Sequence, residues 1–160
     1  MKKLVLFILL SVFSHSVYSQ VAYVAGAKVN QPYDSFMKSI DTSQFTKTGE
    51  KTFVGTFSGF ENTTLYVTGY DGWVDCVTIN VPTDGTLEHG KKIVDSFVLA
   101  YQKKYGSETM KFKKEEYCEY GYQLCNGEIC FTISVAYNLK SVRISYVVRK
   151  RDLNISEDEI

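Results

Sequence analysis

A chain of 160 residues with 44% hydrophobic, 14% aromatic and 22% charged residues and only two prolines has a globular composition, which excludes intrinsic disorder, collagen and coiled coil. Eighteen basic residues balance eighteen acidic ones, so a basic footprint for nucleic acid is missing. The length suits one hydrophobic core.

The chain opens as an export leader does. Lys2 and Lys3 precede a largely apolar run over residues 4–13 and a polar stretch that ends Val17-Tyr18-Ser19-Gln20, the order of a secretory signal. The run is about half of what crosses a bilayer, and no second apolar segment follows, so no membrane span is expected. Residues 1–19 are therefore read as a signal peptide cut near Ser19, and the mature chain is expected in the periplasm, at the cell surface or outside the cell. Loss of Lys2 and Lys3 leaves sixteen basic residues against eighteen acidic ones.

Residues 20–31 are small and polar and read as an extended N-terminal arm. A single α+β domain over residues 32–148 follows. Tyr33, Phe36, Met37 and Ile40 recur at helical spacing, with Asn30 and Pro32 at its start. The period then changes to two: Phe53, Gly55 and Phe57 alternate with Val54, Thr56 and Ser58, and Leu65 and Val67 with Tyr66, Thr68 and Tyr70. These predict two strands joined near Glu61-Asn62. Asp71-Gly72 is a strong hairpin signal, and a third strand follows with Val77, Ile79 and Val81 on one side and Cys76, Thr78 and Asn80 on the other. Pro82-Thr83-Asp84-Gly85 ends it.

The order then repeats. Ile93, Val94, Phe97, Ala100 and Tyr101 predict a helix over 88–105, closed by Gly106. Strands are predicted over 110–120, 129–136 and 142–148, the last two joined by a turn at Tyr137-Asn138-Leu139-Lys140. The expectation is two tandem helix-plus-three-strand units, with both helices packed on one face of an antiparallel sheet. Residues 149–160 carry no apolar period and read as a charged flexible tail.

In an oxidising compartment the even count of Cys76, Cys118, Cys125 and Cys130 favours two disulfides. Their spacing does not suit zinc, so neither a metal nor another cofactor is expected. A turn at Gly121-Tyr122 would set Cys118 opposite Cys125, and one at Gly127-Glu128 would set Cys125 opposite Cys130. Both pairings stay open from spacing alone.

The helix carrying Tyr33-Asp34-Ser35-Phe36, the strand Phe53-x-Gly55-x-Phe57-x-x-Phe60 and the closure Lys103-Lys104-Tyr105-Gly106 resemble small secreted bacterial proteins of uncharacterised function. In element order the chain is also similar to tandem helix-plus-antiparallel-sheet modules such as the β-lactamase inhibitor protein, and to the small lipoprotein of the outer-membrane barrel-assembly machinery. It departs from the first in having one helix per unit, and from the second in lacking a lipid-bearing cysteine. The resemblance implies binding rather than catalysis.

The residues point the same way. One histidine, His89, lies in the mature chain, beside Glu88 and Lys91-Lys92 at a helix start where exposed polar side chains are ordinary. Glu115 and Glu116 are adjacent, so on a strand they face opposite ways and form no catalytic pair; with Lys111, Lys113 and Lys114 they suit a charge-protected edge strand. The chain is therefore not expected to be an enzyme. Tyrosine is the abundant chemistry, at twelve residues. If Leu65 and Val67 face the helices, Tyr66 and Tyr70 face away. Together with Trp73, and with Tyr120 and Tyr122 near the cysteines, they are the candidate binding residues for another protein or a glycan. The reading that follows is an exported, non-catalytic binding or inhibitor-like module using an exposed aromatic sheet face. The alternatives are an envelope-associated structural protein with its aromatics paired and covered, and an enzyme with a polar pocket at His89.

Overall fold

The computed structural model of the chain describes residues 23–106, 113–114, 118–125 and 129–148. The leader and the charged tail read from the sequence lie outside the described residues. In chain order the elements are β1 (Tyr23–Val24), β2 (Ala27–Lys28), α1 (Tyr33–Ser39), β3 (Phe45–Lys47), β4 (Thr52–Phe57), β5 (Phe60–Tyr70), β6 (Trp73–Pro82), α2 (Leu87–Tyr105), β7 (Lys113–Lys114), β8 (Gly121–Cys125), β9 (Ile129–Val135) and β10 (Ser141–Val148).

The eight strands β3 to β10 form one antiparallel sheet in the order β3-β4-β5-β6-β10-β9-β8-β7. Each half is a meander built inward from its own edge, and the two meet where β6 pairs with β10. Two-residue turns shape the first half: Ser58-Gly59 and Asp71-Gly72 both have positive φ, the conformation whose twist matches paired strands. The β4–β5 turn thus falls at Ser58-Gly59 rather than near Glu61-Asn62. Asn62, with φ 55°, lies instead where the register of β4 and β5 shifts.

The expected pair of helix-plus-three-strand units is not what the chain forms. Each half supplies four strands, and only α2 packs along the sheet, chiefly against β8, β9 and β10, with Phe97 reaching the rings of Phe57 and Phe60 in the first half. The reason is length. With seven residues α1 extends about 10 Å, too short to cover a four-stranded meander, and it packs mainly on β2 and β6, with the Tyr33 ring against Gly69 of β5. The arm before it closes the gap: β1 and β2 form a small hairpin that buries Val24, Ala27 and Val29 in the same core as Phe36 and Ile40. Residues 20–31, read as an extended arm, thus include a structural plug.

At 19 residues α2 is long enough, about 28 Å, to span its half of the sheet. It buries Ile93, Val94, Phe97 and Val98 over Phe131, Ile133, Val135, Val142, Ile144 and Tyr146. Aromatic contacts extend that seam: Tyr101 lies edge-on to Phe131 at 5.0 Å, and its hydroxyl is 3.0 Å from that of Tyr146. At the helix start Thr86 accepts from the His89 N–H, and Gly106 closes the end with its N–H on the Gln102 carbonyl.

Candidate functional site

Because side chains alternate along a strand, helix and arm on one face leave the other uncovered. On the covered face Leu65, Val67, Val77, Ile79, Phe131, Ile133, Val142 and Ile144 are buried. On the uncovered face the register aligns Thr52, Tyr66, Thr78, Ser145, Thr132 and Gln123 in one row across six strands. A second row runs Val54, Thr64, Asn80, Arg143 and Ser134. Hydroxyls and amides dominate both.

Tyr66, Tyr70 and Trp73 are 41%, 55% and 53% exposed on this face, which makes them its large accessible aromatics. Their grouping depends on a bulge. From Val77, strict alternation would carry Trp73 inward, but the β5–β6 register shifts beyond Thr68–Cys76, so Val74 turns into the core and Trp73 stands directly opposite Tyr70. The hairpin end is held in place by α1: the Tyr33 N–H donates to the Gly72 carbonyl, and the Tyr33 ring lies where a Cβ on residue 69 would stand.

Tyr120 and Tyr122, grouped with these three from the sequence, belong to the opposite face. Tyr122 is paired with Ile133 and Leu124 with Phe131, so both turn towards α2. The Tyr120 hydroxyl donates to Asp95 Oδ1 at 2.7 Å and lies 3.2 Å from the Tyr122 hydroxyl, while Lys91 Nζ sits 5.3 Å from the Tyr120 ring centre. The hydrogen bonds with Tyr122 and Asp95 hold the Tyr120 phenol far above the usual tyrosine range. These two rings fasten helix to sheet.

Cys125 and Cys130 form a disulfide between directly opposed positions of β8 and β9. Of the two pairings open from the sequence, the structure takes the second; the loop that carries Gly127-Glu128 lies outside the described residues. The second expected bridge is not made. Cys76 sits on β6 with Thr68 and Val147 beside it, whereas Cys118 leads into β8, three strands away. Three strand spacings are about 14 Å, twice the Cα separation a disulfide tolerates. Cys76 stays a thiol, and its burial pushes its pKa up, away from the reactive thiolate.

His89 is occupied at the start of α2. Its Nδ1 accepts from the Asp84 N–H at 3.1 Å, which assigns that nitrogen as unprotonated; the 3.3 Å approach of Asp84 Oδ1 is then proximity within the cap rather than an ion pair. Asp84 Oδ1 in turn accepts from the Thr86 N–H and hydroxyl, and these bonds hold its carboxyl below the usual range. Lys113 and Lys114 are exposed on the edge strand β7, as the lysine run suggests; Glu115 and Glu116 lie outside the described residues. Among the described residues no group of three His, Cys, Asp or Glu side chains could hold a metal ion, and no helix is long and apolar enough to cross a membrane.

No model of a known protein family, no curated protein and no solved structure matches the chain.

Proposed function

We propose that the chain is an exported, non-catalytic recognition module that holds a partner protein, or with the same rings a glycan, on the uncovered face of its sheet. The observation that carries this is the cluster of Tyr66, Tyr70 and Trp73, about half exposed and placed together by the β6 bulge on a face rich in hydroxyl and amide groups. Tyrosine and tryptophan offer large contact area with few rotors to freeze and keep a polar tip, which is why they serve as anchors in interfaces. The cross-strand disulfide supports export, since such bonds persist in oxidising compartments.

The test uses the double variant Tyr66→Ala/Tyr70→Ala. Both rings are about half exposed and lie outside the buried core, so their truncation should lower the unfolding midpoint only slightly. The affinity for a partner isolated from envelope extract, or for a glycan array hit, should fall about tenfold or more. Equal affinity of wild type and variant would remove the aromatic strip from the interface, and unfolding of the variant would show that the rings hold the sheet rather than a partner.

A further inference from the structure

A second feature lies on the same face, towards the other edge. Gly121 pairs with Ser134, and a Cβ on residue 121 would meet the Ser134 Cβ at 2.5 Å and the Cys118 Sγ at 2.8 Å. Glycine therefore lets the segment before β8 fold back over the sheet. That segment walls a pocket of about 300 Å³, with Cys118 and Glu119 on one side, Thr132, Ser134 and Arg143 among its lining, and Tyr137 from the β9–β10 turn. The size is at the small end of ligand pockets. Tyr137 is 95% exposed, an open rim rather than a lid.

The pocket holds two opposite charges that do not meet. Among the described residues the acid–base side-chain approaches within 4 Å are Lys92 with Glu88 and the His89–Asp84 contact of the helix cap, and neither uses Arg143 or Glu119. A guanidinium flanked by the hydroxyls of Thr132 and Ser134 is a receptor for a planar carboxylate. The Glu119 carboxylate in the same lining repels a multiply charged anion such as phosphate and attracts an ammonium, while Arg143 repels a simple amine. The ligand that satisfies both groups within one small pocket carries both charges.

We propose that this pocket binds a small zwitterion of the α-amino acid class, its carboxylate on Arg143 and its ammonium on Glu119. The site is distinct from the aromatic strip: Arg143 on β10 is two strands from Tyr66 on β5, about 10 Å at the ordinary spacing, and the rest of the lining lies further off on β9, its turn and the segment before β8.

The purified protein is titrated with L-leucine, N-acetyl-L-leucine, L-leucinamide and inorganic phosphate, followed by calorimetry and by amide shifts of Thr132, Ser134 and Tyr137. L-leucine should bind saturably with shifts confined to these residues. Masking either ligand charge should weaken binding about tenfold or more, the worth of a charge-assisted hydrogen bond. The protein-side variants should match: Glu119→Gln abolishes the preference for leucine over its acetyl derivative, and Arg143→Gln the preference over its amide. No saturable shift with leucine, or acetyl-leucine or phosphate binding as tightly as leucine, would overturn the proposal. Tyr66→Ala/Tyr70→Ala leaves leucine binding unchanged, so this site and the strip fail or succeed separately.

Discussion

Opening the Cys125–Cys130 bond tests how the second meander is held. The cysteines are five residues apart, and closing so short a loop removes about 7 cal/mol/K from the unfolded chain, about 2 kcal/mol at 25 °C. Little packing is lost with it, because Cys125 is exposed and Cys130 half-buried. With a urea dependence of about 1–3 kcal/mol per molar for a small domain, Cys125→Ser/Cys130→Ser should lower the unfolding midpoint by about 1 M. Reductant should lower the wild-type midpoint equally and the variant's not at all. An unchanged midpoint would mean that the hairpin needs no staple, and a loss above about 4 kcal/mol would mean that the bond holds more than its own hairpin. Mass spectrometry supplies the count: reduction should expose two additional alkylatable thiols. Four would establish the second bridge and contradict the strand order that separates Cys76 from Cys118.

Two tyrosines give predictions of opposite kind. The Tyr33 hydroxyl is buried without a hydrogen-bond partner, and burial raises its pKa; Tyr33→Phe should therefore leave stability unchanged or raise it by up to about 1 kcal/mol, and a clear loss in urea unfolding would mean that the hydroxyl is satisfied. Tyr120 keeps its proton in the folded state at a pH where the unfolded chain has lost it, so its contribution is full below about pH 10 and declines as pH rises further towards the raised folded value. Tyr120→Phe should flatten the fall of melting temperature between about pH 10 and 12; parallel curves for variant and wild type would assign that fall to other groups.

Strand parity in the centre of the sheet was legible because Leu65, Val67, Val77, Ile79, Phe131 and Ile133 alternate with polar residues over long strands that are covered on one side only. Short elements were not. Phe45–Lys47 holds a single apolar residue, and β3 exists because β4 brings backbone to it: Gly55 packs so closely that a Cβ there would strike the Gln44 carbonyl. The β8 strand was hidden by its first residue, since Gly121 reads as a turn former, and with β8 unread the parity that sends Tyr122 and Leu124 inward could not be applied. Trp73 reached the outer face through a register shift that alternation does not encode. Both predicted helices form among the described residues, but their consequence was misread: two helical periods are visible in the sequence, and the reach of each depends on its length against the width of the sheet it must cover.

The inward growth of the two meanders leaves the three-residue β3 at one edge of the sheet and the two-residue β7, both of them lysines, at the other. The long strands, with their many amides and carbonyls, all lie in the interior of the order. An open sheet with a polar, aromatic and uncovered face would otherwise be prone to adding strands from other copies edge to edge. Placing short and cationic strands outermost caps growth in that direction, so contacts with other molecules are steered to the broad face and away from the rims.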